Sequence, residues 1–458
     1  MPAPPGGRVP NPLGWVPTSY LAMGLVYVTV GSLANILLKN VGLSNEQAAF
    51  WSSLLGLPYI IKPLWAPLLE LRRSKKFFVV LMQLVLAALV GGAGLALLLP
   101  GRAFVAPLLG LLALAAFAGA TQDIGSDGLY VTTLDPRAQA RLTGVQSMCW
   151  NLGPILAMGV LVRASGTLHE RTGDWRAAWA IILGVIAALV GALAIWHAWR
   201  LPAGMPGPAG AGEAASAGGA HTFARAFATF FSKPQVGRMI AFAFFYRLGM
   251  GLLDKMGPLF MIDARARGGL GLSNQLLGDI NGTFGTGAFI AGSALGGLFV
   301  ARRGLRRALL PLCLCLNVPN LTFLYLSQAL PQSRAVITAV VTVEKLGWGV
   351  GAVGHMIYMM QQIAPGPFKT AHYTFATAFM GLCMIATGMV SGGLQHALGY
   401  PTFFVVVLLA AIPSIAVTLL APWPQGDVTA PQPAAAAAAP TSAAGGADGT
   451  GAGLELSR

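Results

Sequence analysis

Long apolar stretches separated by short polar segments recur along almost the whole chain. A helix that crosses the hydrocarbon of a bilayer needs about 20 apolar residues, and many runs free of Asp, Glu, Lys and Arg reach that length. The last run, 370–426, is long enough for two helices, with a turn at 393–401. The pattern predicts twelve spans, at 15–38, 48–69, 77–101, 103–122, 142–162, 177–198, 239–261, 280–301, 308–333, 335–363 and two within 370–426.

A short internal repeat divides these spans into two sets. The tetrapeptide GLSN at 42–45 recurs at 271–274, each time shortly before an apolar span, where Ser or Asn can cap a helix start and Gln47 completes a capping-box spacing with Ser44. The basic pairs at 75–76 and 306–307 repeat at nearly the same offset. Two repeated segments in matching positions predict two parallel six-helix halves around a central pathway.

The predicted fold class is therefore all-α integral membrane, with twelve transmembrane helices in two parallel six-helix halves. A segment rich in Gly, Ala and Pro between the sixth and seventh spans is typical of a flexible linker, and the C-terminal tail has no hydrophobic periodicity. We expect an N-terminal segment at 1–14, a first half at 15–200, a linker at 201–235, a second half at 236–421 and a disordered tail at 422–458.

Composition and charge agree with a membrane protein. The chain has 458 residues, of which 55% are hydrophobic and 10% charged, whereas soluble domains carry about 25% charged residues. The net charge of +14 would suggest nucleic acid as a partner of a soluble protein. More than half of the 29 Lys and Arg residues, however, fall on one side of the predicted spans. This positive-inside bias predicts that both termini are cytoplasmic, and nucleic acid is not expected as a partner.

The sequence offers little for an enzyme. Its four cysteines lie in apolar stretches without metal-ligand spacing, so we interpret them as core residues. The first apolar run lacks a cleavage site and is predicted to be a retained span. We find no phosphate loop, metal cluster or nucleophile with a convincing base, and we predict neither enzymatic activity nor a cofactor.

Ionisable residues inside apolar spans usually face a cavity and mark a transport route. Asp123 and Asp127 are four residues apart in the fourth span and share a helix face. Two such carboxylates cannot both ionise easily, so one of them is a candidate proton carrier. Lys62, in a second span loosened by three prolines, is a natural partner for either acid. The alternatives are structural ion pairs and a Lys that extends to the membrane interface.

The second half has its own set of ionisable residues. Arg247 and Asp254 share a face of the seventh span, and they either contact substrate or form a structural pair. Glu344 and His355 share a face of the tenth span, where His355 is a second candidate proton carrier. A lone His in an apolar span is more often simply hydrogen-bonded. The aromatic residues expected at the cavity are Tyr59, Trp65 and Tyr246.

A gating latch is predicted at the end of the second span. Glu70 directly precedes Arg72 and Arg73 in a basic run. A carboxylate there can pair with these cations and release them when the halves rock. The alternative is that the basic residues only set the orientation of the chain in the membrane.

Several motifs resemble known transporters. GGL at 296–298 followed by RRGLRR at 302–307 resembles the loop signature of the major facilitator superfamily. LPYIIKPLWAPLLE at 57–70, TQD at 121–123 and YRLG at 246–249 are similar to AmpG-type muropeptide permeases and their relatives. The resemblance implies the twelve-helix fold, an inner-membrane location and proton-driven uptake. It departs at Met250, where those permeases carry an acid, and at Glu70, where Asp is usual.

We therefore expect a secondary active importer, a proton symporter for a polar solute such as a muropeptide or another oligosaccharide fragment. Its partners are predicted to be the small-molecule substrate, protons and the lipid bilayer, and the protein is predicted to be a monomer. A siderophore or drug-like permease remains an alternative, because aromatic side chains stack equally well on sugars and aromatic chelators. A non-transporting sensor and a membrane enzyme that uses His355 and Glu344 are further alternatives.

Overall fold

The computed structural model describes residues 11–65, 74–202 and 224–427. Ten helical segments in these ranges are long and apolar enough to cross a membrane. The last of them, Ala371–Leu419, contains two crossings, because Gly399 interrupts the helix Lys369–Leu409 with φ 72° and ψ 167°. Glycine adopts a positive φ without a steric penalty. With a second span built from shorter helices, the chain forms the twelve predicted spans in an all-α fold.

The first half contains six spans. They are Val16–Val28 with Thr29–Leu33 and Ala34–Asn40; Asn45–Leu54 with Leu57–Ile61 and Lys62–Leu64; Lys75–Ala96; Val105–Thr133; Pro136–Pro154 with Ile155–Leu161 and Val162–Thr172; and Trp175–Arg200.

A short helix over 224–231 precedes the second half. The six spans of this half are Val236–Phe245 with Leu248–Ile262; Asn274–Gly278 with Asp279–Gly285 and Thr286–Arg303; Leu305–Asn317 with Val318–Asn320 and Leu321–Ala329; Arg334–Tyr358 with Met359–Ile363; and two spans in Lys369–Leu409, the second of which continues as Ala411–Leu419.

The second span is not the continuous helix predicted over 48–69. It begins earlier, at Asn45, and is interrupted after Leu54, before a short helix and a 3-10 turn that begins at Lys62. Pro58 and Pro63 explain the interruption, because proline has no N–H to donate to the helix. The remainder of the predicted span lies outside the described residues.

The repeated tetrapeptide starts a helix in both halves, as predicted. Ser44 and Gln47 form the capping box, and Ser273 accepts a hydrogen bond from the N–H of Leu276. The Asn after each Ser also joins the two halves, since Asn45 donates to Gln395 at 3.0 Å and Asn274 donates to Asn40 at 2.7 Å. The repeat therefore marks equivalent contacts between the halves, which the capping pattern alone did not indicate.

The chain ends and the loops define two opposite faces of the bundle. We call the face with Gly14, Leu201 and Gly426 the terminal face and the face with Val41 and Asp263 the distal face. The described hydrogen bonds and ion pairs between the halves cluster towards the distal face. The second span packs on the eleventh there, and the fifth packs on the eighth.

The first residues of the predicted tail are ordered against the second half. Tyr358 donates a hydrogen bond to the carbonyl oxygen of Pro422, and Gln362 donates to that of Gly426 at 2.7 Å. Asp427 accepts hydrogen bonds from the N–H groups of Leu305 and Arg306 at 3.2 and 3.0 Å. The packed chain therefore extends beyond the predicted boundary at 421, because this segment satisfies polar groups at the helix ends.

Three of the four cysteines are buried as predicted, but Cys315 is exposed. Cys313 faces the helix bundle, whereas Leu314 and Cys315 lie on the outer side of the ninth span. The sequence could not separate these positions, because the interior of the bundle and the lipid outside it are both apolar.

The fifth and eighth spans approach closely at two glycines. A Cβ atom added to Gly282 would lie 2.0 Å from the Cα atom of Gly159. Such a contact requires the helices to separate. The absence of side chains at these two positions therefore allows the two halves to meet.

We predict that Gly282→Ala lowers the free energy of unfolding by about 1–3 kcal/mol, the usual cost of overpacking. The effect is expected although Ala favours a helix more than Gly does. Thermal unfolding in detergent measures the effect. Gly287→Ala is the matched control in the same span, because its Cβ would meet nothing within 4 Å. Equal melting temperatures for the two variants would contradict this interpretation.

Candidate functional site

Lys62 and Asp123 form an ion pair between the second and fourth spans. Lys62 is the first residue of the 3-10 turn that ends the described part of the second span. Both side chains are partly accessible, with 27% and 15% of their surface exposed. The predicted partnership of Lys62 with an acid of the fourth span is therefore present, and Asp123 is the partner.

Asp127 has a different and neutral partner. The hydroxyl of Tyr20 in the first span donates a hydrogen bond to Asp127 at 2.9 Å. The Tyr20 ring packs edge-on against Tyr130 at 5.7 Å, which fixes its position. The two acids on one helix face thus have separate partners. Sequence reasoning did not find Tyr20, because no spacing within the first span relates it to the fourth.

Three aromatic rings of the first half form one cluster. Tyr27 packs edge-on against Tyr59 at 5.0 Å and lies 5.8 Å from Trp150. Although it lies within the first span, Tyr27 keeps 44% of its surface exposed. It interacts electrostatically with Asp123 of its own half and with Arg247 and Asp254 of the other. Tyr27 is therefore the central ring of this cluster and is influenced by charges of both halves.

The other predicted cavity aromatics have structural contacts. The indole N–H of Trp65 donates to the hydroxyl of Thr121 at 3.2 Å. Tyr246 is fully buried, and its hydroxyl donates to the carbonyl oxygen of Gly351 at 3.1 Å. The prediction that Tyr246 lines the cavity is corrected here, because its ring belongs to the core of the second half.

The seventh span is interrupted at Tyr246 and Arg247, between helices that end at Phe245 and begin at Leu248. The Arg247 guanidinium lies 3.4 Å from the carbonyl oxygen of Ala352. Asp254 pairs with its neighbour Lys255 at 3.6 Å. The alternative of an Arg247–Asp254 ion pair is therefore not realised.

Glu344 pairs with the adjacent Lys345 at 3.0 Å, and it interacts electrostatically with Asp254. The Lys345 ammonium also lies over the ring of Trp348, 4.8 Å from its centroid. Although they share a helix face, Glu344 and His355 do not meet. His355 is buried against the rings of Phe242 and Tyr246.

The predicted gating latch of Glu70, Arg72 and Arg73 lies outside the described residues. A different polar cluster joins the halves at the distal face, and we call it the distal latch. It consists of Lys39, Asn45, Asp263, Arg267 and Tyr400.

Asp263 is the centre of the distal latch and is 2% exposed. It lies 3.2 Å from Lys39 and 2.6 Å from Arg267, and it accepts hydrogen bonds from Asn45 at 3.1 Å and Tyr400 at 2.9 Å. Burial raises the pKa of Asp263, but these hydrogen bonds and the charge of Lys39 outweigh it and hold the pKa below its ordinary value. Lys39 and Asn45 belong to the first half, so the latch closes the distal face.

Further polar contacts accompany the latch. Arg163 and Asp279 form an ion pair between the fifth and eighth spans. Deeper in the bundle, Asn35 of the first span donates to the carbonyl oxygen of Lys255 at 2.9 Å. Within 11–65, 74–202 and 224–427, no group of three His, Cys, Asp or Glu side chains is arranged to hold a metal ion.

Comparisons with known proteins agree with this architecture. The family profile of the Major Facilitator Superfamily matches residues 18–384. The anhydromuropeptide permease of Escherichia coli (strain K12) is 25% identical over 396 residues, which cover 85% of this chain and 74% of that protein. The putative transporter AmpG 4 of Rickettsia conorii is 21% identical over 193 residues, which cover 42% of this chain and 45% of that protein.

Solved structures share the fold. A D-xylose-proton symporter superposes with a TM-score of 0.67 and 11% sequence identity, over 89% of this chain and 96% of that chain. The nucleoside transporter NupG superposes with a TM-score of 0.62 and 17% identity, over 89% of this chain and 97% of that chain.

Twelve spans in two parallel halves, with charged and aromatic side chains between them, define a multi-pass membrane transporter of small molecules rather than an enzyme. The chain belongs to the Major Facilitator Superfamily. Within it, the chain is an AmpG-like permease, as its motifs predicted.

We predict that Asp263→Asn opens the distal latch, because it removes the charge that holds Lys39 and Arg267. A suitable reporter is Ala49→Cys with Cys315 replaced by Ser. Ala49 is buried and shares a helix face with Asn45, which contacts the eleventh span. We expect faster reaction of this cysteine with a water-soluble thiol reagent in the Asp263→Asn variant than in the parent or in Glu170→Gln.

The latch should also depend on pH. Since the closed state lowers the pKa of Asp263 from an ordinary value of about 4, its contribution is complete above that value and is lost as the pH falls through the lowered pKa. In the reporter protein that retains Asp263, the cysteine at position 49 should therefore become more accessible in acid. The reaction with the thiol reagent is quenched, and the modified fraction is measured by mass spectrometry. The same acid-induced increase in the Asp263→Asn variant would exclude Asp263 as its cause.

Proposed function

We propose that this AmpG-like permease is a proton-coupled importer of the inner membrane that takes up a muropeptide or another oligosaccharide fragment by alternating access. The observation that carries the proposal is the unequal partnering of the two acids in the fourth span. Asp123 is paired with the cation of Lys62, whereas Asp127 is hydrogen-bonded to the neutral hydroxyl of Tyr20.

This difference supports Asp127 as the carrier of the coupling proton. Protonation of Asp123 would leave Lys62 as an uncompensated charge at membrane depth, which is costly. Protonation of Asp127 breaks no ion pair, because a hydroxyl can accept a hydrogen bond as readily as it donates one. Lys62 and Asp123 then form the fixed pair of the site, and Asp127 is the group that gains and loses a proton.

The aromatic cluster of the first half supports a substrate that contains sugar rings. The exposed face of Tyr27, with Tyr59 and Trp150 beside it, provides a platform for the apolar face of a pyranose. Arg247 and the Asp254–Lys255 pair on the opposite half offer donors and acceptors for carboxylates and amides. The name of the Escherichia coli relative, an anhydromuropeptide permease, agrees with this chemistry.

The transport cycle follows from the two halves. We propose that the terminal face is cytoplasmic, as the positive-inside rule predicts, and that 15–200 and 236–421 rock as two bodies within one monomer. With the distal latch closed, the substrate would exchange with the cytoplasm. Release of the latch would open the site to the opposite side. Glu344, paired with Lys345, and the buried His355 would then have structural roles in the second half.

Transport by purified protein in liposomes with an imposed pH gradient tests this function. Internal pH is followed while anhydro-muropeptides, neutral oligosaccharides and ferri-siderophores are added outside in turn. Proton entry with the saccharides supports the proposal, and proton entry with the siderophores alone would favour the alternative permease. If none of these compounds causes proton entry, in liposomes shown not to leak protons, proton coupling to these substrates is overturned.

We predict that Asp127→Asn abolishes uptake driven by the pH gradient and retains part of the counterflow exchange, because Asn cannot carry the proton. Tyr20→Phe should shift the pH profile of driven uptake, since it removes the hydrogen bond to Asp127. Glu170→Gln is the matched control, because Glu170 is an exposed acid of the same half. Normal driven uptake by Asp127→Asn would assign the proton to another group.

We predict that Tyr27→Ala raises the KM for a sugar-containing substrate about fivefold or more, since loss of ring stacking costs on the order of 1 kcal/mol or more. Tyr27→Phe should retain most of the affinity, because the ring face is preserved. Concentration-dependent counterflow measures both. Equal KM values for Tyr27→Ala and the parent would remove Tyr27 from the substrate site.

A further inference from the structure

The outer surface of the second half contains an apolar groove of about 380 Å³, which lies between the eighth and ninth spans and reaches the tenth. Its walls include Leu295, Leu298 and Phe299 from the eighth span and Pro311 and Cys315 from the ninth. The three side chains of the eighth span keep 55%, 48% and 37% of their surface exposed. Since they lie within a membrane span, the groove opens towards lipid and not towards water.

Helix packing explains why the groove exists. The eighth span is drawn onto the tenth by Gly292 and Gly296, whose added Cβ atoms would lie 2.2 Å and 2.6 Å from backbone oxygens of the tenth. The eighth span makes much less contact with the ninth. A gap therefore remains beside the ninth span, on the side away from the substrate site.

One end of the groove is strongly basic. Arg302 lines it, Arg303 ends the same helix, and Arg306 and Arg307 lie in the first turn of the next helix at the terminal face; all four residues are exposed. Within the described ranges, the guanidinium groups of Arg302, Arg303 and Arg307 take part in no ion pair. The nearby carboxylate of Asp427 is engaged by the backbone N–H groups of Leu305 and Arg306.

We propose that this groove binds an anionic phospholipid, with an acyl chain along Leu295–Phe299 and the headgroup phosphate on Arg302 and Arg303. An apolar channel that opens to lipid and ends at unpaired cations matches both parts of such a molecule. A zwitterionic lipid would place an ammonium group beside the same cations and bind less tightly. The site is separate from the substrate cavity and does not depend on the transported solute or on proton coupling.

Cys315 provides the readout, because it lines the groove and is exposed, whereas the other three cysteines are buried. Delipidated protein in a non-ionic detergent is titrated with phosphatidylglycerol or with phosphatidylcholine of the same acyl chains. The rate of Cys315 alkylation by N-ethylmaleimide is then measured. We expect phosphatidylglycerol to slow alkylation at a concentration at least tenfold lower than phosphatidylcholine does, and native mass spectrometry to show a retained lipid.

Three variants separate a defined site from general charge attraction. The double variant Arg302→Gln and Arg303→Gln should lose the preference for phosphatidylglycerol. The matched double variant Arg137→Gln and Arg141→Gln removes two exposed cations from the same face of the first half and should keep it. Leu298→Trp leaves the arginines intact and fills the groove, so it should abolish retention of the lipid in native mass spectrometry.

Three results would overturn the proposal. Equal protection of Cys315 by both lipids would show that the arginines do not select the headgroup. Equal loss of the preference for phosphatidylglycerol in the two double variants would show diffuse electrostatic attraction of the lipid to the basic face. Protection by soluble glycerol phosphate alone would show a phosphate site without a lipid. Gel filtration of each variant confirms that it is folded, so that a loss of protection is not mistaken for unfolding.

Discussion

The low dielectric constant of the membrane interior makes an uncompensated charge costly, and the arrangement of the proposed transport site follows from this constraint. Lys62 is compensated by Asp123 from another span, whereas Asp254 and Glu344 are each compensated by the Lys that follows them. These pairs leave Asp127 as the acid of the site that has a neutral hydrogen-bond donor. The constraint therefore explains both the stability of the site and the place where a change of charge is least costly.

The same constraint applies to the backbone, whose polar groups also need partners in the membrane. The second span is interrupted near Lys62, and the seventh is interrupted at Arg247. Irregular backbone at this depth is tolerated where it is covered by protein or lines a cavity. Each interruption carries a long basic side chain of the candidate site, Lys62 in the second span and Arg247 in the seventh.

The ion pairs at the distal face differ in exposure. Arg163 and Asp279 keep 55% and 39% of their side-chain surface exposed, whereas Lys39 and Asp263 of the distal latch keep 15% and 3%. An exposed ion pair contributes little because water replaces it at low cost. The buried carboxylate of Asp263 therefore depends on its own partners, and the closed distal face depends more on the latch than on the exposed pair. Asn35 and the Lys255 backbone connect the distal face with the candidate site, since Lys255 also compensates Asp254.

The sequence by itself determined the number of spans, the capping box of Ser44 and Gln47 and the turn near Gly399, because each depends on residues close together in the chain. Its internal repeat also indicated the two halves. It also indicated that Lys62 would meet an acid of the fourth span. Only the tertiary structure identified Tyr20 as the partner of Asp127, Tyr27 as the central ring, and Asp263 as the centre of the distal latch. It also buried Tyr246 and exposed Cys315. In a soluble protein the contrast between polar and apolar faces shows which side of a helix is buried. In a membrane span both the packed side and the lipid side are apolar, so orientation and partners are decided by how distant helices pack.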